Sequence, residues 1–185
     1  MKALLLGAGL GTRLRPLTYK IPKVMVDVAG YPVLEHLVFH LYRYGITQIM
    51  VNTHYKPEAI MSYFGPRLLY SYEQTPLGEG GTIQSLKHWL LNDYTVVMNG
   101  DTLTNIDISQ MFRWSRGKNI MSMDGETYTG TKIISPAYFF GDTKFTKYYD
   151  PGIYWKDIGT PQGLKEARRH YEKVGLFTNL RDGWN

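Results

Sequence analysis

The sequence predicts an α/β protein of three layers, a mostly parallel sheet with helices on both faces. Three observations carry that expectation. Short apolar runs such as Ala3 to Leu6 and Tyr94 to Met98 lack the alternation of a half-buried strand, and so read as strands covered on both sides. Segments of helical period alternate with these runs, and the connections between them are short and marked by Gly, Pro and Asn. In such a sheet ligands gather outside the carboxyl ends of the strands.

Taken in order, Lys2 to Leu6 is the first strand, and the glycine-rich connection GAGLGTRLRPLTYKIPK follows it. Pro32 to Tyr44 repeats apolar residues at Val33, Leu34, Leu37, Val38 and Leu41, the period of a helix that Gly45 ends. Thr47 to Asn52 reads as a strand, Lys56 to Phe64 as a short helix and Leu68 to Glu73 as a third strand. TPLGEGG is turn-rich, Thr82 to Leu91 is helical, and the strand Tyr94 to Met98 runs into Asn99-Gly100-Asp101. Beyond that tip the pattern loosens. A helix is expected around Ile108 to Arg116, then a polar stretch, a strand over Tyr128 to Ser135, and an aromatic tract to Tyr149. A closing helix covers about Gln162 to Val174, and the final residues LFTNLRDGWN are expected to fray.

At 185 residues the chain is long enough for one sizeable core, and residues 1–185 are expected to form a single domain. Without cysteine it has neither disulfides nor thiolate metal sites. The start MKALLLGAG is too short for a signal-peptide core, and no stretch approaches the roughly 18 apolar residues of a membrane span. A soluble, cytoplasmic protein with no membrane partner is the expectation. The net charge of +5 favours anionic ligands, but the basic residues are scattered singly apart from Arg168-Arg169, so nucleic acid is not an expected partner.

The glycines Gly7, Gly9 and Gly11, with Ala8 between, let backbone N–H groups approach an anion, and Thr12 and Arg13 add side-chain donors. The dinucleotide fingerprint fails because Thr12 stands where its third glycine belongs and Pro16 interrupts the helix that would follow. A Walker loop fails for want of Gly-Lys-Ser/Thr. Asp101, at the tip of an apolar strand, is placed where a carboxylate can hold Mg²⁺ against phosphates; a turn aspartate is the plainer reading of the same pattern. Of the five histidines only His36 and His40 share a helix turn, and helix packing suits both.

GAGLGTRLRPLT, then PKVMVDVAGYPVLEH, VVMNGDTL, YTGTKIISP and YWKDIGTPQGL follow one another as in the sugar-1-phosphate nucleotidyltransferases, which this chain resembles over most of its length. The resemblance implies a Rossmann-like nucleotidyltransferase fold. It also implies a reaction in which a sugar 1-phosphate attacks the α-phosphorus of an NTP and releases pyrophosphate. By the family pattern Arg13 grips the leaving pyrophosphate, Lys23 neutralises the phosphates near the attack, and Asp101 and Asp157 together hold Mg²⁺. Gly7, Ala8, Gly9, Gly11, Thr12, Arg13, Glu73 and Gly78 are the implied nucleotide contacts, and Gly130 and Thr131 the sugar contacts.

Glu73 in SYEQTPLGEGG gives the stretch the character of the guanylyltransferases, and a carboxylate can accept paired donors from guanine N1–H and its 2-amino group. GTP is therefore favoured, with a uridylyl- or thymidylyltransferase as the alternative and a non-catalytic nucleotide-sugar binding or regulatory protein as the reading from another class. Two departures stand out. Glu79 replaces the threonine such enzymes usually show, and no Glu-Lys-Pro precedes the Thr-Gly strand, which implies either that another cation, Lys132, Lys144 or Lys147, meets the sugar phosphate or that activity is impaired. Family enzymes often associate, so a homo-oligomer is admitted.

Overall fold

The computed structural model describes residues 1–174; the expected fraying of LFTNLRDGWN lies outside the described residues. The strands are β1 (Lys2–Leu6), the short pair β2 (Asp27–Val28) and β3 (Tyr31–Pro32), β4 (Ile49–Thr53), β5 (Leu69–Tyr72), β6 (Thr95–Asn99), β7 (Thr102–Thr104), β8 (Ile120–Asp124), β9 (Thr127–Ile134), β10 (Thr146–Tyr149) and β11 (Trp155–Asp157). The helices are α1 (Val33–Arg43), α2 (Pro57–Phe64), α3 (Gly78–Ser85), α4 (Lys87–Leu90), α5 (Ile108–Ser115) and α6 (Pro161–Val174).

Seven strands form one sheet in the order β10-β8-β9-β6-β1-β4-β5. β5, β4, β1 and β6 are mutually parallel, β9 runs antiparallel to β6 and β8, and β10 is parallel to β8. The expected three layers are present, because successive residues of each central strand enter different cores. Ala3 and Leu5, Ile49 and Val51, Val96 and Met98 pack in the core that also holds α1, α2 and α5. Leu4 and Val97 pack on the opposite face with Ile83 and Leu90 of α3 and α4. A third cluster joins Leu14, Val26, Val33 and Leu103 to Leu164 and Ala167 of α6.

The structure differs from the sequence expectation in the looser half. The polar stretch after α5 contains β8, and the aromatic tract contains β10; β8 gains strand form by pairing with β9, and β10 by pairing with β8. The helix expected from Thr82 begins at Gly78, inside the turn-rich segment, and breaks at Leu86 before α4. β7 and β11, too short to register as strands, form a separate antiparallel ribbon in which Asp157 faces Thr102. That ribbon positions the site.

The two helix histidines pack as expected. The His36 and His40 rings meet the backbone carbonyls of Val28 and Ile106 at 2.8 and 2.9 Å. Burial pushes the His40 imidazole down to about 4, so it stays neutral at physiological pH.

Candidate active site

A cleft of about 250 Å³ opens at the carboxyl ends of β1, β4 and β6, where an open parallel sheet binds ligands. Leu6, Ala8 and Gly9 form one side; Glu73, Pro76, Gly78, Glu79 and Thr82 form another; Asn99 and Asp101 close it.

The loop after β1 is shaped by close contacts. Gly11 has φ 65°, and a Cβ there would stand 2.9 Å from Lys23 Cβ and 3.0 Å from Thr18 Cγ2, so only glycine fits between them. Thr18 Oγ1 donates to the Gly11 carbonyl at 2.7 Å, and residues Thr12–Leu14 follow as one turn of 3-10 helix that leaves Arg13 exposed. Two further short turns carry the chain to Lys23, which is 8% exposed.

At the end of the cleft near Asp101, the Lys23 ammonium pairs with Asp101 and lies 3.8 Å from Asp157 Oδ1. The ribbon makes this meeting possible: besides the β7–β11 register, the Ile158 amide donates to the Asp101 carbonyl at 3.0 Å. Gly159 is the point where the groups converge. Its amide donates to Asp157 Oδ1 at 2.5 Å, and a Cβ there would lie 2.5 Å from Lys23 Nζ, 2.7 Å from Asp157 Oδ1 and 2.8 Å from Arg13 Nη2. Arg13, Lys23, Asp101 and Asp157 are thus brought together from three separate parts of the chain.

The end of the cleft near Glu73 is built as a hydrogen-bond network. Asn52 Oδ1 accepts from the Gly7 amide at 2.7 Å, while Asn52 Nδ2 donates to Glu73 Oε1 at 2.8 Å. Thr82 Oγ1 donates to the same oxygen at 2.5 Å, and the Leu77 amide donates to Glu73 Oε2 at 3.0 Å. Burial pushes the Glu73 carboxyl up, but the bonds from Asn52, Thr82 and Leu77 outweigh it and hold the group below its ordinary range. A carboxylate has about four acceptor sites. Three are taken, so Glu73 has room for one further donor, on Oε2, and not for the two parallel donors expected from guanine. The Gly7 amide, turned onto Asn52, is likewise not free for a phosphate.

On the far side Gly130 has φ 83° and lies against the tip, where a Cβ would stand 3.2 Å from Asn99 Nδ2 and from Thr102 Oγ1. Thr131 is 1% exposed and pairs with Met98, and strand alternation turns it away from the cleft. Its neighbour Lys132 shares the face of Ile134 and forms an ion pair with Glu79 of the cleft wall. Burial pushes the Lys132 ammonium down to about 8. Lys144 and Lys147 are exposed.

Sequence reasoning missed Asn52, Gly159 and the Lys132–Glu79 pair. The signal for Asn52 was an amide ending the apolar run of β4, which reads as an ordinary strand terminus.

A family model described as nucleotidyl transferase matches residues 2–125. The chain belongs to the nucleotidyl transferase family. Among its curated relatives is a D-glycero-α-D-manno-heptose 1-phosphate guanylyltransferase of Aneurinibacillus thermoaerophilus, 39% identical over 117 residues, or 60% of this chain and 51% of the relative. A mannose-1-phosphate guanylyltransferase of Mycobacterium tuberculosis is 39% identical over 120 residues, 62% of this chain and 33% of the relative. The chain therefore spans about half the length, or less, of these relatives. The solved structure of HddC from Yersinia pseudotuberculosis complexed with GMP-PN superposes with a TM-score of 0.76 at 23% identity. It covers 92% of this chain and 99% of that one, which shows the family member to share its fold.

Proposed function

We propose that the chain transfers a nucleotidyl group from an NTP, with GTP favoured, to a sugar 1-phosphate. The observation that carries this reading is the convergence of Arg13 and Lys23 with Asp101 and Asp157 at the mouth of the cleft. A phosphate oxygen of the sugar 1-phosphate forms a bond to the α-phosphorus, the bond from that phosphorus to the bridging oxygen breaks, and pyrophosphate leaves. Attacker and target are both anions, so the protein's task is positioning and charge neutralisation. Arg13 faces the leaving pyrophosphate. Lys23, which is held by carboxylates without a ligand, turns its ammonium to the phosphates.

Among the described residues no group of three or more His, Asp or Glu gathers that could hold a metal. Two carboxylates sharing one ammonium nevertheless fit Mg²⁺, which takes one or two protein carboxylates and fills its remaining positions with water and substrate phosphate. Asp101 and Asp157 would hold that ion, and it would supply charge neutralisation between the two substrates.

The guanine preference rests on the two relatives named as guanylyltransferases, because the single free acceptor on Glu73 does not by itself separate guanine from uracil. On the acceptor side Lys132 is the lysine of the three that is buried beside the cleft wall, and it is our choice for the sugar phosphate. The lack of cysteine and an NTP substrate support a cytoplasmic reaction. Among the described residues no helix is long and apolar enough to cross a membrane.

A panel of four NTPs, each offered with mannose, heptose and glucose 1-phosphates, tests the reading by pyrophosphate release. GTP with a manno-configured sugar is expected to be fastest. Release from UTP or dTTP alone transfers the assignment to the pyrimidine enzymes, and no release from any pair leaves a protein that binds nucleotide sugars without making them.

A further inference from the structure

A second and larger concavity, about 480 Å³, lies behind the site on the outer side of α6. One wall is the loop from Leu14 to Leu17 and the other is α6 from Pro161 onward. Among the described residues Arg15, Lys165, Arg168 and Arg169 line it against one lining carboxylate, Glu172. The nearby Glu166 is taken by Lys156 at 2.7 Å. Two of the four cations are already oriented: Arg168 donates twice to the Asp27 carbonyl, at 2.9 and 3.1 Å, and the Arg15 guanidinium lies 5.1 Å over the Tyr19 ring. Lys165 and Arg169, one helical turn apart and exposed, have no hydrogen bond or ion pair among the described residues. The floor is apolar, with Leu14 and Leu164 buried in the cluster beneath α6.

An excess of guanidinium and ammonium groups, two of them already oriented, over an apolar floor suits an anion that carries an organic body. The volume is that of a small molecule, and the concavity is enclosed by two elements of this chain rather than spread as a flat face. We propose that this cavity is a second binding site, separate from the cleft, for an organic phosphate of nucleotide or sugar-phosphate size. Both walls continue directly into the cleft. The 3-10 turn that presents Arg13 to Gly159 ends at Leu14, and Arg15 follows it; Asp157 and Gly159 immediately precede Pro161. A ligand that draws Arg15 toward α6 therefore acts on the two segments that place Arg13 and Asp157, and so changes affinity in the cleft. The binding itself does not depend on the catalytic reading.

The test titrates the full chain calorimetrically with GMP and, separately, with glucose 6-phosphate, which divide the nucleotide from the sugar phosphate as the source. It uses wild type, Arg13→Ala for the cleft, and Lys165→Glu with Arg169→Glu for the second cavity. At least one probe should bind a site that survives Arg13→Ala and weakens at least about tenfold in the double variant. On wild-type protein, where no substitution can disturb folding, the same probe should shift the amide resonances of Leu17 and of Leu164 to Arg169. Binding lost with Arg13→Ala alone, binding indifferent to the double variant, or no binding of either probe overturns the proposal. Pyrophosphate release by the double variant without added probe should stay within about twofold of wild type, since Lys165 and Arg169 lie outside the cleft. Wild-type protein that binds a probe there yet releases no pyrophosphate keeps this site and refutes the catalytic reading instead.

Discussion

The two ends of the cleft, the one near Glu73 proposed for the base and the one near Asp101 proposed for the phosphates, are built on opposite principles. At the base end Gly7, Asn52, Glu73, Thr82 and the Leu77 amide satisfy one another, and the pocket exists before any ligand arrives. At the phosphate end Lys23 is held by the opposed charges of Asp101 and Asp157, with Arg13 beside them at Gly159, and Lys23 stands where a ligand's cation and phosphates would divide the charges anew. A closed hydrogen-bond network contributes stability, whereas the pairing of a buried ammonium with partly exposed carboxylates, as at Lys23, adds little net because desolvation offsets the attraction. The phosphate end should therefore tolerate the loss of one of its two carboxylates in folding but not in turnover, and the base end should serve both.

The largest expected effect follows from Asp101→Asn. It removes a charge from the proposed Mg²⁺ position, and pyrophosphate release at saturating NTP should fall by at least about 10²-fold. The melting temperature should fall far less, because Asp157 still faces the buried Lys23 ammonium and the amide that replaces the Asp101 carboxylate can still accept from it. A variant that loses its fold together with its activity would erase the distinction between the two ends. Gly159→Ala tests the same end by volume instead of charge. Its methyl group would displace Lys23, Asp157 or Arg13, and a misplacement on the order of 1 Å is expected to lower kcat by about 10²-fold, read by the same assay. Wild-type turnover from this variant would show that the convergence at Gly159 has no part in the chemistry.

At the base end Asn52→Ala deletes the link between the β1 loop and Glu73. It leaves the Gly7 amide and one acceptor site on Glu73 without their partner, at a cost of about 1–3 kcal/mol. Thermal melts should show the loss, and KM should rise for every NTP by a similar factor with kcat changed less. A rise confined to GTP would mean that Asn52 reads the base and does not merely build the pocket.

The difference between the ends also explains how much was legible in the sequence. The central parallel strands, α1 and the loop with Arg13 and Lys23 stood out because continuous apolar runs, a helical period and clustered glycines are local signals. Nothing local marks β7 and β11, each three residues long, as partners, so the pairing of Asp101 with Asp157 was visible only through family resemblance. β8 and β10 are strands because β9 and β8 offer edges to pair with, not because Ile120–Asp124 or Thr146–Tyr149 prefer that form strongly. α3 contains Gly80 and Gly81 and read as a turn; packing of Ile83 in the core overrides the propensity of those glycines. Glu73 was found but its duty was not, since its three donors come from β4, α3 and the turn at Leu77, and only the fold brings them to one carboxylate.

The smallest effect concerns acid, and it separates a structural Glu73 from one that faces only a ligand. The folded protein holds this carboxyl below its ordinary range, so in the window beneath that range the unfolded chain binds a proton that the folded chain does not. Stability then rises with pH through the window: the contribution is complete above the ordinary carboxylate range and is lost as the pH falls through the lowered value. Glu73→Gln has no carboxyl to titrate, and its amide nitrogen would oppose the Leu77 N–H, so the variant should be less stable at neutral pH. Its denaturant midpoint should fall less steeply than that of wild type as the pH is lowered. Parallel acid limbs in the two proteins would mean that the network around Asn52, Thr82 and Leu77 does not hold the carboxylate in solution, and the contrast between a prebuilt base end and a charge-balanced phosphate end would fail at its base end.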